Sequence, residues 1–169
     1  MRLKKGLLIL LAVLIVLALA VYFLTRNDEG ERGDDDITEE KIIDLLINDV
    51  KSVTVVNGSE TYVVEREKAG EDIWILTTPE DFDYESSEVR SIVYNIYSIT
   101  ANRTVDEAAT DFAQYGLDKP VTVKVETNDG AEYTLEIGNK TPASDDRYAR
   151  LKDSPKVYII GSYEASKLL

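Results

Sequence analysis

The sequence predicts an α+β fold: an N-terminal transmembrane helix followed by antiparallel β-hairpins with helices packed on them. Three stretches carry that prediction. Gly6 to Leu24 is an unbroken apolar run without a charge. Val121 to Thr127 and Ala131 to Ile137 alternate on either side of Asn128-Asp129-Gly130, as two half-buried strands joined by a turn would. Val89, Ile92, Val93, Ile96 and Ile99 recur at helical spacing. The chain therefore divides into a cytoplasmic basic tip and transmembrane anchor over 1–25, an acidic linker over 26–37 and an extracytoplasmic α+β domain over 38–169.

A helix satisfies its own backbone hydrogen bonds, so Gly6–Leu24 can cross a bilayer without orphan donors. At roughly 1.5 Å per residue it reaches about 28 Å, against a hydrocarbon core of about 30 Å. Arg2, Lys4 and Lys5 precede it, while Asn27 to Asp36 follows with six acids and one arginine. Positive residues stay cytoplasmic, so the N-terminus is expected inside and the domain outside a single-pass cytoplasmic-membrane anchor. A cleaved signal peptide is the rival reading, since Ala18-Leu19-Ala20 fits a small-x-small cleavage site. The run continues through Val21, Tyr22, Phe23 and Leu24, beyond the usual apolar core of about 7–15 residues. Without a cysteine there is no lipoprotein acylation site.

Charge and composition narrow the chemistry. Setting aside Arg2, Lys4, Lys5 and Arg26 leaves 15 of the 19 basic residues against 32 acids, a net −17 beyond the anchor. Nucleic acid and anionic lipid surfaces would be repelled. The absence of cysteine removes disulfides and thiol nucleophiles; the absence of histidine removes the commonest general base and zinc ligand. Serines then lack an activating histidine, and no Ser-x-x-Lys occurs. Asp34-Asp35-Asp36 lacks the alternate spacing of a calcium loop and reads as solvated linker. Acid pairs are so frequent that none can be singled out for acid–base work. No catalytic, cofactor or metal residue is nominated, and no cofactor is expected.

Along the domain, Ile42, Ile43, Leu46, Ile47 and Val50 read as a helical stripe capped by Thr38, with a strand over Ile42–Ile47 as the alternative. Val53–Val56, Asn57-Gly58 and Thr61–Glu67 read as a hairpin. Ile73–Thr77 is a third strand, with Trp74 expected in packing and Pro79 as its stop. The clearest helix follows, capped by Ser86 or Ser87, with Glu88 in its first turn and Arg90 on or beyond the wet side, as is Arg103. A shorter helix is expected over Asp106–Tyr115, closed by a left-handed Gly116 with Leu117 touching Phe112, before Pro120. After the Val121–Ile137 hairpin, strands are expected over Arg147–Leu151 and Val157–Ile160, with Asp145-Asp146-Arg147 as a solvated loop between strands. Ser162 caps a last helical segment, and its abrupt end reads as a truncated form or a short relative of longer proteins. The stretches 53–65 and 123–136 are similar once a residue is slipped, which two hairpins of like make explain more cheaply than duplication. Asn57, Asn102 and Asn139 each begin an Asn-x-Ser/Thr glycosylation pattern.

The boxes Trp74…Pro79, Phe112-Ala113-Gln114-Tyr115-Gly116-Leu117-Asp118-Lys119-Pro120, Asp129-Gly130, Ile137-Gly138-Asn139-Lys140-Thr141-Pro142, Tyr148-Ala149-Arg150 and Val157-Tyr158 stand in that order behind a basic, apolar N-terminus. Together they resemble the domain-of-unknown-function family 4340, over roughly residues 40–169 plus the anchor. The resemblance implies a membrane-anchored bacterial envelope protein. Some members are associated with ABC-type transport systems, including those linked to gliding motility, and many continue with further copies of such a domain. It brings no catalytic residues. The expectation is thus a non-enzymatic accessory or interaction protein, an auxiliary subunit of an ABC-type transport system with permease and ATPase partners. The alternative is an envelope module binding a glycan or cationic peptide, which predicts a concave surface lined by tyrosines. An envelope hydrolase is third and would need a carboxylate cluster in a cleft.

Overall fold

Nine strands form one antiparallel sheet in the order β1-β5-β9-β8-β7-β6-β2-β3-β4. They are β1 Glu40–Asp44, β2 Val50–Asn57, β3 Glu60–Arg66, β4 Trp74–Thr78, β5 Ser98–Asp106, β6 Val121–Thr127, β7 Glu132–Lys140, β8 Arg147–Leu151 and β9 Val157–Ile160. Among the described residues two short helices accompany them, α1 Ser86–Ile96 and α2 Ser162–Ser166. The structure is a computed structural model and describes residues 39–169; the predicted anchor, the linker and Asp34–Asp36 lie outside the described residues. Among the described residues no helix is long and apolar enough to cross a membrane. The domain is mostly β, with less helix than the sequence led us to expect.

The best-specified part is the β6–β7 hairpin. Val121, Val123 and Val125 pair with Ile137, Leu135 and Tyr133, the face the alternation predicts, and four of the six are buried. Strands β8 and β9 also fall where expected. The β2–β3 hairpin forms, but its loop is Gly58-Ser59, one residue later than predicted, because Asn57 still pairs with Glu60. β2 also pairs with β6, so the two similar hairpins lie side by side.

One helix covers the sheet. Helix α1 leads from β4, at one edge, to β5, second from the other, so it crosses the whole face. It buries Val89, Val93 and Ile96 in a core cluster containing residues from all nine strands. An 11-residue helix is about 16 Å long, whereas nine flat strands would span about 38 Å. The sheet therefore coils around the helix. Glu85, whose side chain makes no capping bond to the helix backbone, is the N-cap rather than Ser86 or Ser87, and Ile99 belongs to β5. Arg90 is on the wet side as expected; Arg103 is exposed in β5.

Two expected helical segments take other forms. Ile42 and Ile43 are both buried on β1 because the pairing with β5 slips between Lys41 and Ile43, a bulge that turns two consecutive side chains inward. Only Ile47–Asp49 winds, as one 3-10 turn. The segment after Asp106 is not an α-helix: the Asp106 and Asp111 carboxylates accept the N–H groups of Ala108 and Ala113 at 3.0 Å each, drawing the backbone into turns. A 3-10 turn at Ala113–Tyr115 is all that forms. Its predicted close is nonetheless present, with Gly116 left-handed (φ 70°), Leu117 N–H bonded to the Phe112 carbonyl at 3.0 Å and Leu117 packed against Phe112. Helix α2 starts after Gly161 rather than being capped by Ser162.

Candidate functional site

Between the sheet and α1 a groove opens. Val55, Tyr62 and Leu76 form the floor from β2, β3 and β4; Ile92 of α1 and Phe82 and Tyr84 of the β4–α1 connection form the walls. The volume is about 230 Å³. The Tyr62 and Phe82 rings meet edge to face, 5.8 Å apart at 76°, a geometry that suits the ring quadrupoles. The Tyr62 hydroxyl donates to Glu60 at 3.1 Å; this bond, burial and the Glu60 charge raise its pKa above the ordinary tyrosine value. Phe82 is 48% exposed, an apolar ring held at the mouth. Buried Leu168, with Lys167 and Leu169, closes one end.

The rim is acidic. Glu60 and Glu88 line the groove, and the connection carries exposed Glu80, Asp81, Asp83 and Glu85 between its aromatic residues. Among the described residues none of these six carboxylates is in an ion pair, whereas Asp72, Glu107, Glu126 and Asp145 each are. The groove itself has one cation, Lys167.

Beside the groove, Asp72 accepts from Trp74 Nε1 (2.9 Å), the Tyr94 hydroxyl (2.8 Å) and Arg90 (2.6 Å). The Trp74 and Tyr94 bonds, with the Arg90 charge, hold its carboxyl below the usual value. Trp74 is buried in the core, with the Arg66 guanidinium 4.2 Å from its ring centre. Its expected packing role is met.

On the opposite face lies a smaller cluster of Ala109, Leu117 and Val157, with Phe112, Tyr115 and Tyr148 around it. Glu136 and Arg150, directly paired across β7 and β8, form a 2.6 Å ion pair there, and Phe112 stacks 3.9 Å from the Arg150 guanidinium. At the sheet edge Lys156 bridges Glu40 (3.4 Å) and Glu107 (3.1 Å), and Tyr158 donates to Glu40 at 3.3 Å; burial is the first cause of that hydroxyl's raised pKa. These groups bind one another. Among the described residues no cluster of three or more carboxylates could hold a metal ion.

In the loop before β8 Asp145 stays exposed, as the solvated reading expects, while Asp146 and Arg147 are partly buried. Asp145 pairs with Lys140 at 2.6 Å, Asp146 accepts the Ser162 N–H at 2.9 Å, and Arg147 donates to the Gly138 carbonyl at 3.0 Å. The loop thus ties β7 to the start of α2. Asn57, Asn102 and Asn139 lie in β2, β5 and β7.

The sequence boxes meet in space. Gly138 of the Ile137–Pro142 box packs under the Tyr115 carbonyl and beside Leu117, while the Asn139 side chain lies over Gly116. The family model described as "Domain of unknown function (DUF4340)" matches residues 74–169, more than half of the chain. The chain belongs to this family. Comparison with curated proteins and with solved structures finds no match. The family match takes in β4, α1 and every later element, and it includes Leu76 of the groove floor and the walls Phe82, Tyr84 and Ile92 while leaving out Val55 and Tyr62. No motif in the sequence marks the groove, because its residues come from three strands, the β4–α1 connection, α1 and residues 167–169. The one available signal was the alternation of acids with Phe82 and Tyr84 over 80–85.

Proposed function

We propose that this DUF4340 protein is an interaction subunit held outside the cytoplasmic membrane by a single N-terminal helix, working as an accessory of an ABC-type transport system. The observation that carries the interaction reading is the aromatic groove with its unpaired acidic rim. An exposed phenylalanine beside two tyrosines is the make-up of a binding surface, where such rings provide large contact area at small entropic cost. The anchor reading draws on the uncharged Gly6–Leu24 run and its basic flank. The transport association draws on the family resemblance.

A second reading, binding of an envelope glycan or cationic peptide, is favoured by the same groove, since Tyr62 and Tyr84 line the concavity that this alternative requires. Cross-linked full-length protein, solubilised from its native membrane and analysed by mass spectrometry, separates the two. A permease and an ATPase in constant ratio supports the accessory role; the protein recovered alone moves the weight to ligand binding.

A further inference from the structure

We propose that the β4 edge takes up an extended segment of a partner protein as a tenth strand, seating one apolar side chain in the groove and basic side chains against its rim. This rests on the interaction reading and names the form of the partner. Among the described residues strand β4 ends the sheet and pairs with β3 alone. Among the described residues no other segment makes a backbone hydrogen bond to Trp74–Thr78. An edge of this kind presents a row of unpaired N–H and C=O groups, which proteins usually blunt with charge. The far edge is blunted that way: β1 carries Glu40, Lys41 and Asp44 besides its bulge at Ile42.

The β4 edge is not. Trp74-Ile75-Leu76-Thr77-Thr78 holds no charged residue. Its pairing with β3 slips between Leu76 and Thr78, so the regular edge runs from Ile73, whose carbonyl accepts the Glu67 N–H, to Leu76. A short strand of about four residues fits there, and Leu76 at its end is part of the groove floor. Exposed Ile73 and Phe82 flank the edge. In strand addition, main-chain bonds give affinity and pockets for alternate side chains give specificity. Here the pocket is apolar and its surroundings carry Glu60, Glu80, Asp81, Asp83, Glu85 and Glu88 without cationic partners. The complementary segment alternates apolar with basic residues.

The test uses full-length protein in detergent micelles and fluorescence anisotropy with labelled KVKLKVK, its backbone N-methylated counterpart, and EVELEVE. KVKLKVK is expected to bind, with affinity lowered at least about tenfold by N-methylation or by the acidic sequence, and at least about threefold by Phe82→Ala. Phe82 is exposed, so this variant leaves the fold intact; an unchanged thermal midpoint verifies that. Equal binding of the N-methylated peptide, equal binding of EVELEVE, or no effect of Phe82→Ala would overturn the proposal. So would sedimentation of the protein as a dimer that KVKLKVK dissociates, which would assign the edge to a second copy. If these fail while permease and ATPase still co-purify, the strand proposal falls and the accessory reading stands; binding without co-purification has the converse meaning.

Discussion

The carbonyl oxygen of Tyr115 occupies the space a side chain on Gly138 would need: a β-carbon built there would lie 2.2 Å from it. Tyr115 belongs to the turn that ends in left-handed Gly116, and Gly138 is the point on β7 where that turn docks. Two of the sequence boxes that mark the family are therefore the two halves of one packing contact, which explains them without any chemistry. Gly138→Ala is expected to destabilise by about 1–3 kcal/mol, as forced overpacking does. Urea unfolding followed by fluorescence of the single, buried Trp74 would show the midpoint fall.

On the same face, Glu136 and Arg150 are only 11% and 16% exposed at the side chain. Removing one partner strands the other charge, so Arg150→Ala should cost about 3–5 kcal/mol, with the loss of the Phe112 stack included. Replacing both by apolar residues, as in Glu136→Leu with Arg150→Met, should return most of that loss. The same urea titration on the three variants checks both statements.

Acid stability should pass through Asp72. Its folded pKa lies below its ordinary value, so the carboxylate binds its proton more readily in the unfolded chain. Its stabilisation is then fully present above about pH 4 and is lost as pH falls through the lowered folded value. In thermal melts from pH 7 down to pH 2, the gap between wild type and Asp72→Asn should be constant at neutral pH and close at the acid end. A gap that does not change with pH would mean that the hydrogen bonds to Trp74 and Tyr94 act without the charge.

What could be read from the sequence follows the regularity of the backbone. The β6–β7 hairpin is legible down to its register because one face is buried and no residue is inserted. β1 and β5 are not, because bulges interrupt their alternation. At Ile42 a bulge brings neighbouring isoleucines to one side, which with Ile47 imitates a helical stripe. In β5 the pairing with β9 slips at Asn102 and again at Val105, leaving a polar, irregular sequence that resembles a loop. The Asp106–Tyr115 helix failed because aspartate carboxylates outcompeted it for backbone donors. The groove was not legible at all, since Val55, Tyr62, Leu76, Phe82 and Ile92 become neighbours only once the sheet has coiled around α1.

We propose that the groove is where this protein meets its partner. The most direct measurement places a photo-cross-linking benzoylphenylalanine at Phe82 and, separately, at Leu46, which is 71% exposed but does not line the groove. Irradiation of native membranes followed by mass spectrometry should yield one recurrent membrane-protein adduct from position 82 and none from position 46. Adducts from position 46 alone, or from neither, would contradict the assignment of the partner to the groove.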